Sequence, residues 1–132
     1  MQFPPPSELT SHQEPALLVD QLLAVAPDGS WAESRLLNPE GLDLLQLIEG
    51  SAQTVAILMG VTLRAAGGPR AKGMLVGVSN VVQSAGIPAN AVVEVRVALS
   101  YQFPPFNLFS ATVTCAGTPV ATLELKTMAH SS

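Results

Sequence analysis

One stretch constrains this chain more than any other. From Leu44 to Leu63 the residues are aliphatic, small or neutral polar, and Glu49 is the one ionisable side chain among them. The Asn38-Pro39 pair ahead of it supplies helix-start chemistry, with asparagine as N-cap and proline at the first helical position. Glu40 and Asp43 in the first turn then suit the helix dipole. Behind it, the glycines and proline of "AAGGPR" (65–70) stop a helix. We therefore expect one helix from Asn38 to about Ala66, roughly 26 residues and close to 40 Å long. It is apolar on most sides, so something has to wrap it. A membrane span is not expected, because Gln46, Glu49, Ser51 and Gln53 interrupt the run and strand-like segments follow it.

Those segments supply the wrapping. "ALLVDQLLAV" (16–25) reads as an apolar strand, "APDG" (26–29) as a turn and "SWAESRLL" (30–37) as the returning strand of a hairpin. After the helix come "GMLVGVSNVVQS" (73–84), "AVVEVRVALSYQF" (91–103), "NLFSATVTCA" (107–116) and "PVATLELKTM" (119–128), rich in valine, threonine and aromatics. In the second of these Val93, Val95, Val97, Leu99 and Tyr101 share one face by alternation. "GIPAN" and "AGTP" are turns, and "FPPF" (103–106) is expected to bend or interrupt the edge of a sheet. Residues 1–15 read as a proline-rich arm ahead of one domain. Two strands, a long helix and four long strands predict an α+β fold with a curved antiparallel sheet around one central helix.

Charge narrows the partners. Charged residues make up 12% of the 132, about half the usual globular share. A chain so poor in charge needs a large core or another subunit, so we expect an oligomer. The net charge of −4 argues against nucleic acid as a partner. The lone Cys115 forms no internal disulfide framework and reads as a core thiol, which fits a reducing compartment. The first residues have no cationic n-region and no apolar h-region, so we expect a cytoplasmic protein. Two histidines and one cysteine give no metal-ligand cluster at recognised spacing, and no cofactor is expected. His130 falls in the "MAHSS" tail, expected to be mobile.

Three stretches, in order, resemble the hotdog-fold 3-hydroxyacyl-ACP dehydratases: "HQEPALLVDQLLAV" (12–25), "LIEGSAQTVAIL" (47–58) and "GMLVGVSNVV" (73–82). The Glu49-x-x-Ala52-Gln53 pattern is the most specific part. The usual members carry a glycine-histidine-phenylalanine-proline segment before the helix, and its histidine is the base. Here that place reads "RLLNPEGLD" (35–43), without a histidine. The chain is more similar to a divergent branch that lacks the segment and serves specialised pathways such as polyene assembly. The resemblance implies a hotdog fold whose sheets pair edge to edge in dimers, acting on an acyl thioester of acyl carrier protein or CoA. The oligomer would be a homodimer or larger, or a hetero-oligomer with another hotdog protein.

The resemblance also assigns roles. Glu49 becomes the acid that protonates the departing hydroxyl. A carboxyl group shut away from water tends to keep its proton, as that step requires. His12 is the candidate base for the α-proton, with structural packing near the first strand as the alternative. The thioester carbonyl would be met by backbone N–H groups at the helix start, where Gly41 permits close approach and Asn38 stands beside it. Gln53, one turn after Glu49, would orient Glu49 or bind substrate, with a structural hydrogen bond as the alternative. Arg64, Arg70 and Lys72 hold three of the six cations and would dock a phosphopantetheine phosphate or an acidic carrier, unless they only solubilise a loop. Two other functions stay open: a hotdog acyl-CoA thioesterase using the helix carboxylate, and a non-catalytic partner subunit of a dehydratase.

Overall fold

The computed structural model describes residues 18–65 and 72–130. β1 (Val19–Val25) and β2 (Trp31–Leu36) form the first hairpin. Its turn is held by Asp28, whose Oδ1 accepts from Ser30 Oγ at 2.6 Å and from Ser30 N at 3.0 Å. These bonds to Ser30 hold the Asp28 carboxyl below its ordinary range.

The central helix, α1, runs Leu44–Ala65 and so starts later than the Asn-Pro pair implies. Its N-cap is Asp43, whose Oδ1 accepts from Gln46 N at 2.8 Å. Gln46 Oε1 accepts in return from Asp43 N at 2.9 Å, closing a capping box. Asn38 does something else. It is buried, and its Nδ2 donates to Pro88 O at 2.8 Å and to Ala91 O at 3.0 Å, while its own carbonyl accepts from Asn90 N at 2.7 Å. The segment between β2 and α1 is thus latched onto residues 87–91, and Glu40 lies outside the helix. Gly41 has φ +92°, and a Cβ there would meet Ile87 O at 2.9 Å. Only glycine tolerates both that backbone and that approach.

After the helix come β3 (Lys72–Gln83), β4 (Val93–Phe103), β5 (Phe106–Cys115) and β6 (Thr118–His130). The six strands make one antiparallel sheet in the order β1-β2-β4-β5-β6-β3. "FPPF" does not interrupt an edge. Pro104 and Pro105, joined by a cis peptide bond, form the turn between two interior strands. A register shift between Leu99 and Tyr101 ends the one-face alternation of β4, and Tyr101 is exposed. Residue 130 is not in a loose tail but ends β6 opposite Lys72. Cys115 is half-buried and packs against the core.

The core lies between one face of the sheet and α1. Val93, Val95, Val97, Val113, Leu123 and Leu125 meet Leu47, Val55, Ile57 and Leu58 there. Each contributes about 1.5–3 kcal/mol by leaving water. Gly50 lets helix and sheet approach: a Cβ on it would sit 2.7 Å from Leu36 Cδ1. The arrangement is the α+β hotdog fold, a curved sheet around one helix. Among the described residues no helix is long and apolar enough to cross a membrane.

Candidate active site

Glu49 sits in the second turn of α1. Its side chain is exposed. The expectation that the chain's own wrapping shuts it away is therefore not met. By helical spacing it points away from the buried stripe of Leu47, Gly50, Thr54, Ile57 and Leu58, so the sheet that covers that stripe does not cover the carboxylate. Large apolar side chains of α1 and β3 are exposed as well. Leu45, one turn before it, is 65% exposed, and Leu75 and Val78 of β3 are about 40% exposed although their register partners Thr127 and Leu125 face the core.

Gln53, one turn after Glu49, is 1% exposed. Its Oε1 accepts from Leu18 N at 2.7 Å and from Val19 N at 3.3 Å. It fastens the start of β1 to the helix, a structural role for the same side chain that the resemblance offers to substrate. Ser51 Oγ donates back to Leu47 O at 2.8 Å and stays inside the helix. Beneath the helix, Ser34 Oγ donates to Thr54 Oγ1 at 2.6 Å, since Thr54 Oγ1 itself donates to Gly50 O at 2.8 Å.

From Ala52 onward the same flank of α1 opens into a slot of about 40 Å³ against the sheet. Ala52, Ala56 and Met59 line one wall, and Leu75, Leu125 and Thr127 line the other. Among the described residues the slot is apolar except for Thr127, which sequence reasoning missed. The signal was present: Leu123, Leu125 and Thr127 alternate on β6, so a hydroxyl falls on the inward face.

The remaining assignments separate. Asn38 and Gly41 lie in the loop before α1, occupied as described above. His12 and Arg70 lie outside the described residues, as do the side chains of Arg64 and Lys72. No group of three or more metal-ligating side chains occurs among the described residues. On the opposite face of the sheet, Arg96 pairs with Glu33 and stacks 4.3 Å over Trp31, while Arg35 pairs with Glu94 at 3.1 Å. These exposed cross-strand pairs set register on a solvated face and contribute little stability.

A family model described as ApeP-like, ApeP dehydratase, matches residues 4–131. No curated protein matches the sequence. Among solved structures, the dehydratase heterocomplex ApeI:P from Xenorhabdus doucetiae superposes with a TM-score of 0.84 at 20% identity, covering 99% of this chain and 94% of that one. A hypothetical thioesterase with coenzyme A from Streptococcus pneumoniae superposes with a TM-score of 0.67 at 9% identity, covering 85% and 86%. At such identities the likeness shows the fold.

Proposed function

This chain belongs to the ApeP-like dehydratase family, and from that premise we propose that it removes water from a 3-hydroxyacyl thioester at a site completed by a second hotdog subunit. The observation that supports this reading best is Glu49 itself, an exposed carboxylate one helical turn before Ala52, where an apolar slot begins. A second subunit pairing along β3 would bury Leu45, Leu75 and Val78 together with the carboxylate. The similarity to a structure named as a heterocomplex favours a different hotdog chain in that place.

The chemistry then follows. A base removes the proton at C2, acidified by the neighbouring thioester carbonyl. The electron pair forms the C2–C3 double bond as the C3–O bond breaks. Glu49 gives its proton to the departing oxygen, releasing water and a 2-enoyl thioester, and regains a proton through exchange with the base. The base is His12 or a histidine of the partner, because the sequence has only two histidines and the other ends β6. Backbone N–H groups at the start of α1 would steady the carbonyl. Arg64, Arg70 and Lys72 would meet the phosphate of the carrier arm, whether of acyl carrier protein or CoA. Hydration of a 2-enoyl thioester by the assembled protein, lost in Glu49→Gln, tests this.

A second reading has its own observation. The segment 35–43 holds no histidine where the usual members carry their base. A partner chain would then hold the whole acid-base pair and this chain would shape the acyl site. In that case Glu49→Gln leaves turnover unchanged while removal of the chain abolishes it.

A further inference from the structure

Thr127 occupies an inward position on β6, opposite Leu75 of β3 and Asn107 of β5. It is 5% exposed, and its Oγ1 is buried with no hydrogen-bond partner. Buried hydroxyls are nearly always paired, and an unpaired one is destabilising. Valine would fill the same space without that penalty. The hydroxyl lines the slot beside α1, whose other lining side chains are alanine, valine, leucine and methionine. A slot of about 40 Å³ admits a few waters. A water needs two to four polar partners to be held, and among the described residues Thr127 is the only polar side chain lining it. The site is therefore better suited to an apolar chain that brings its own oxygen than to solvent.

We propose that this slot receives the far end of the acyl chain and that Thr127 selects a chain bearing a hydroxyl there. The inference rests on the reading that Glu49 marks the reacting end. Seven residues separate Glu49 from Ala56 in the slot wall, roughly 10 Å along the helix. That interval sets the distance from the reacting carbons to the selected oxygen. Ala52 and Ala56 leave the passage open beside the helix, and Met59 lies one turn further along the same wall.

The test is binding to the full-length protein in its assembled form. The probes are non-hydrolysable 3-hydroxyacyl-pantetheine analogues of increasing length, each made with a methyl end and with a hydroxyl end. The wild type should prefer the hydroxyl-ended member at one length by about fivefold, the worth of one neutral hydrogen bond. Thr127→Val should abolish that preference and leave methyl-ended binding unchanged. Equal affinity for both series at every length, retention of the preference in Thr127→Val, or no binding by any probe would each overturn the inference. No turnover is needed, so Glu49→Gln should keep the preference. If the Glu49 assignment alone is wrong, that variant keeps both preference and activity.

Discussion

Glu49 and Gln53 are one helical turn apart, yet the first lies in solvent and the second is sealed under the start of β1, accepting from Leu18 N at 2.7 Å. A rotation of about 40° separates positions four apart on a helix. That is enough for the chain's own β1 to close over one and leave the other open. Among the described residues the helix is thus covered at Gln53 and bare at the carboxylate.

Gln53→Leu removes the acceptor for Leu18 N and Val19 N. Leaving a buried N–H unpaired costs about 1–3 kcal/mol. Denaturant unfolding should show a loss in that range.

Gly50→Ala gains helix propensity of about 1 kcal/mol but drives a Cβ to 2.7 Å from Leu36 Cδ1 in the core. Overpacking costs about 1–3 kcal/mol, so the net effect should be a destabilisation on the order of 1 kcal/mol. Adding Leu36→Val should recover part of it, and thermal melts of the wild type and the two variants check this.

Thr127→Val exchanges an unpaired buried hydroxyl for a methyl of equal size. Relief of that penalty should stabilise the fold by about 1 kcal/mol. The melting temperature should rise by a few degrees. A drop would mean that the hydroxyl has a partner in the assembled protein.

Val78→Lys places a charge on the β3 edge, where the valine is 37% exposed. The isolated fold should lose less than about 1 kcal/mol. Assembly should weaken by at least about tenfold, since a buried charge at the subunit contact costs more than about 1.4 kcal/mol. Sedimentation over a concentration series reads both species.

Much of the fold was legible because alternation and turn chemistry agreed. The strands at 73–84, 91–103, 107–116 and 119–128 coincide with β3 to β6 to within two residues. The helix start was not. Asn38-Pro39 has strong N-cap chemistry, but the asparagine side chain is spent on Pro88 and Ala91, a contact 50 residues away that no local pattern announces. Asp43 and Gln46 formed the capping box that local chemistry did contain. Glu49 was visible as a candidate from its isolation in an apolar run, whereas its exposure was not, because the docking of the helix on the sheet decides which of its sides stays bare. Thr127 was readable from the β6 alternation but not as an unpaired group, since pairing depends on neighbours brought from β3 and α1.

The most direct test is the rate of 2-enoyl thioester hydration by the assembled protein before and after Glu49→Gln. Glu49 is exposed in the single chain, so the substitution should leave its folding intact, and glutamine keeps the side chain's size and shape at the subunit contact. General acid catalysis of this kind is worth about 10²–10⁴-fold, and the account expects a loss of that size with oligomeric state unchanged. Wild-type turnover in an intact Glu49→Gln assembly would contradict it.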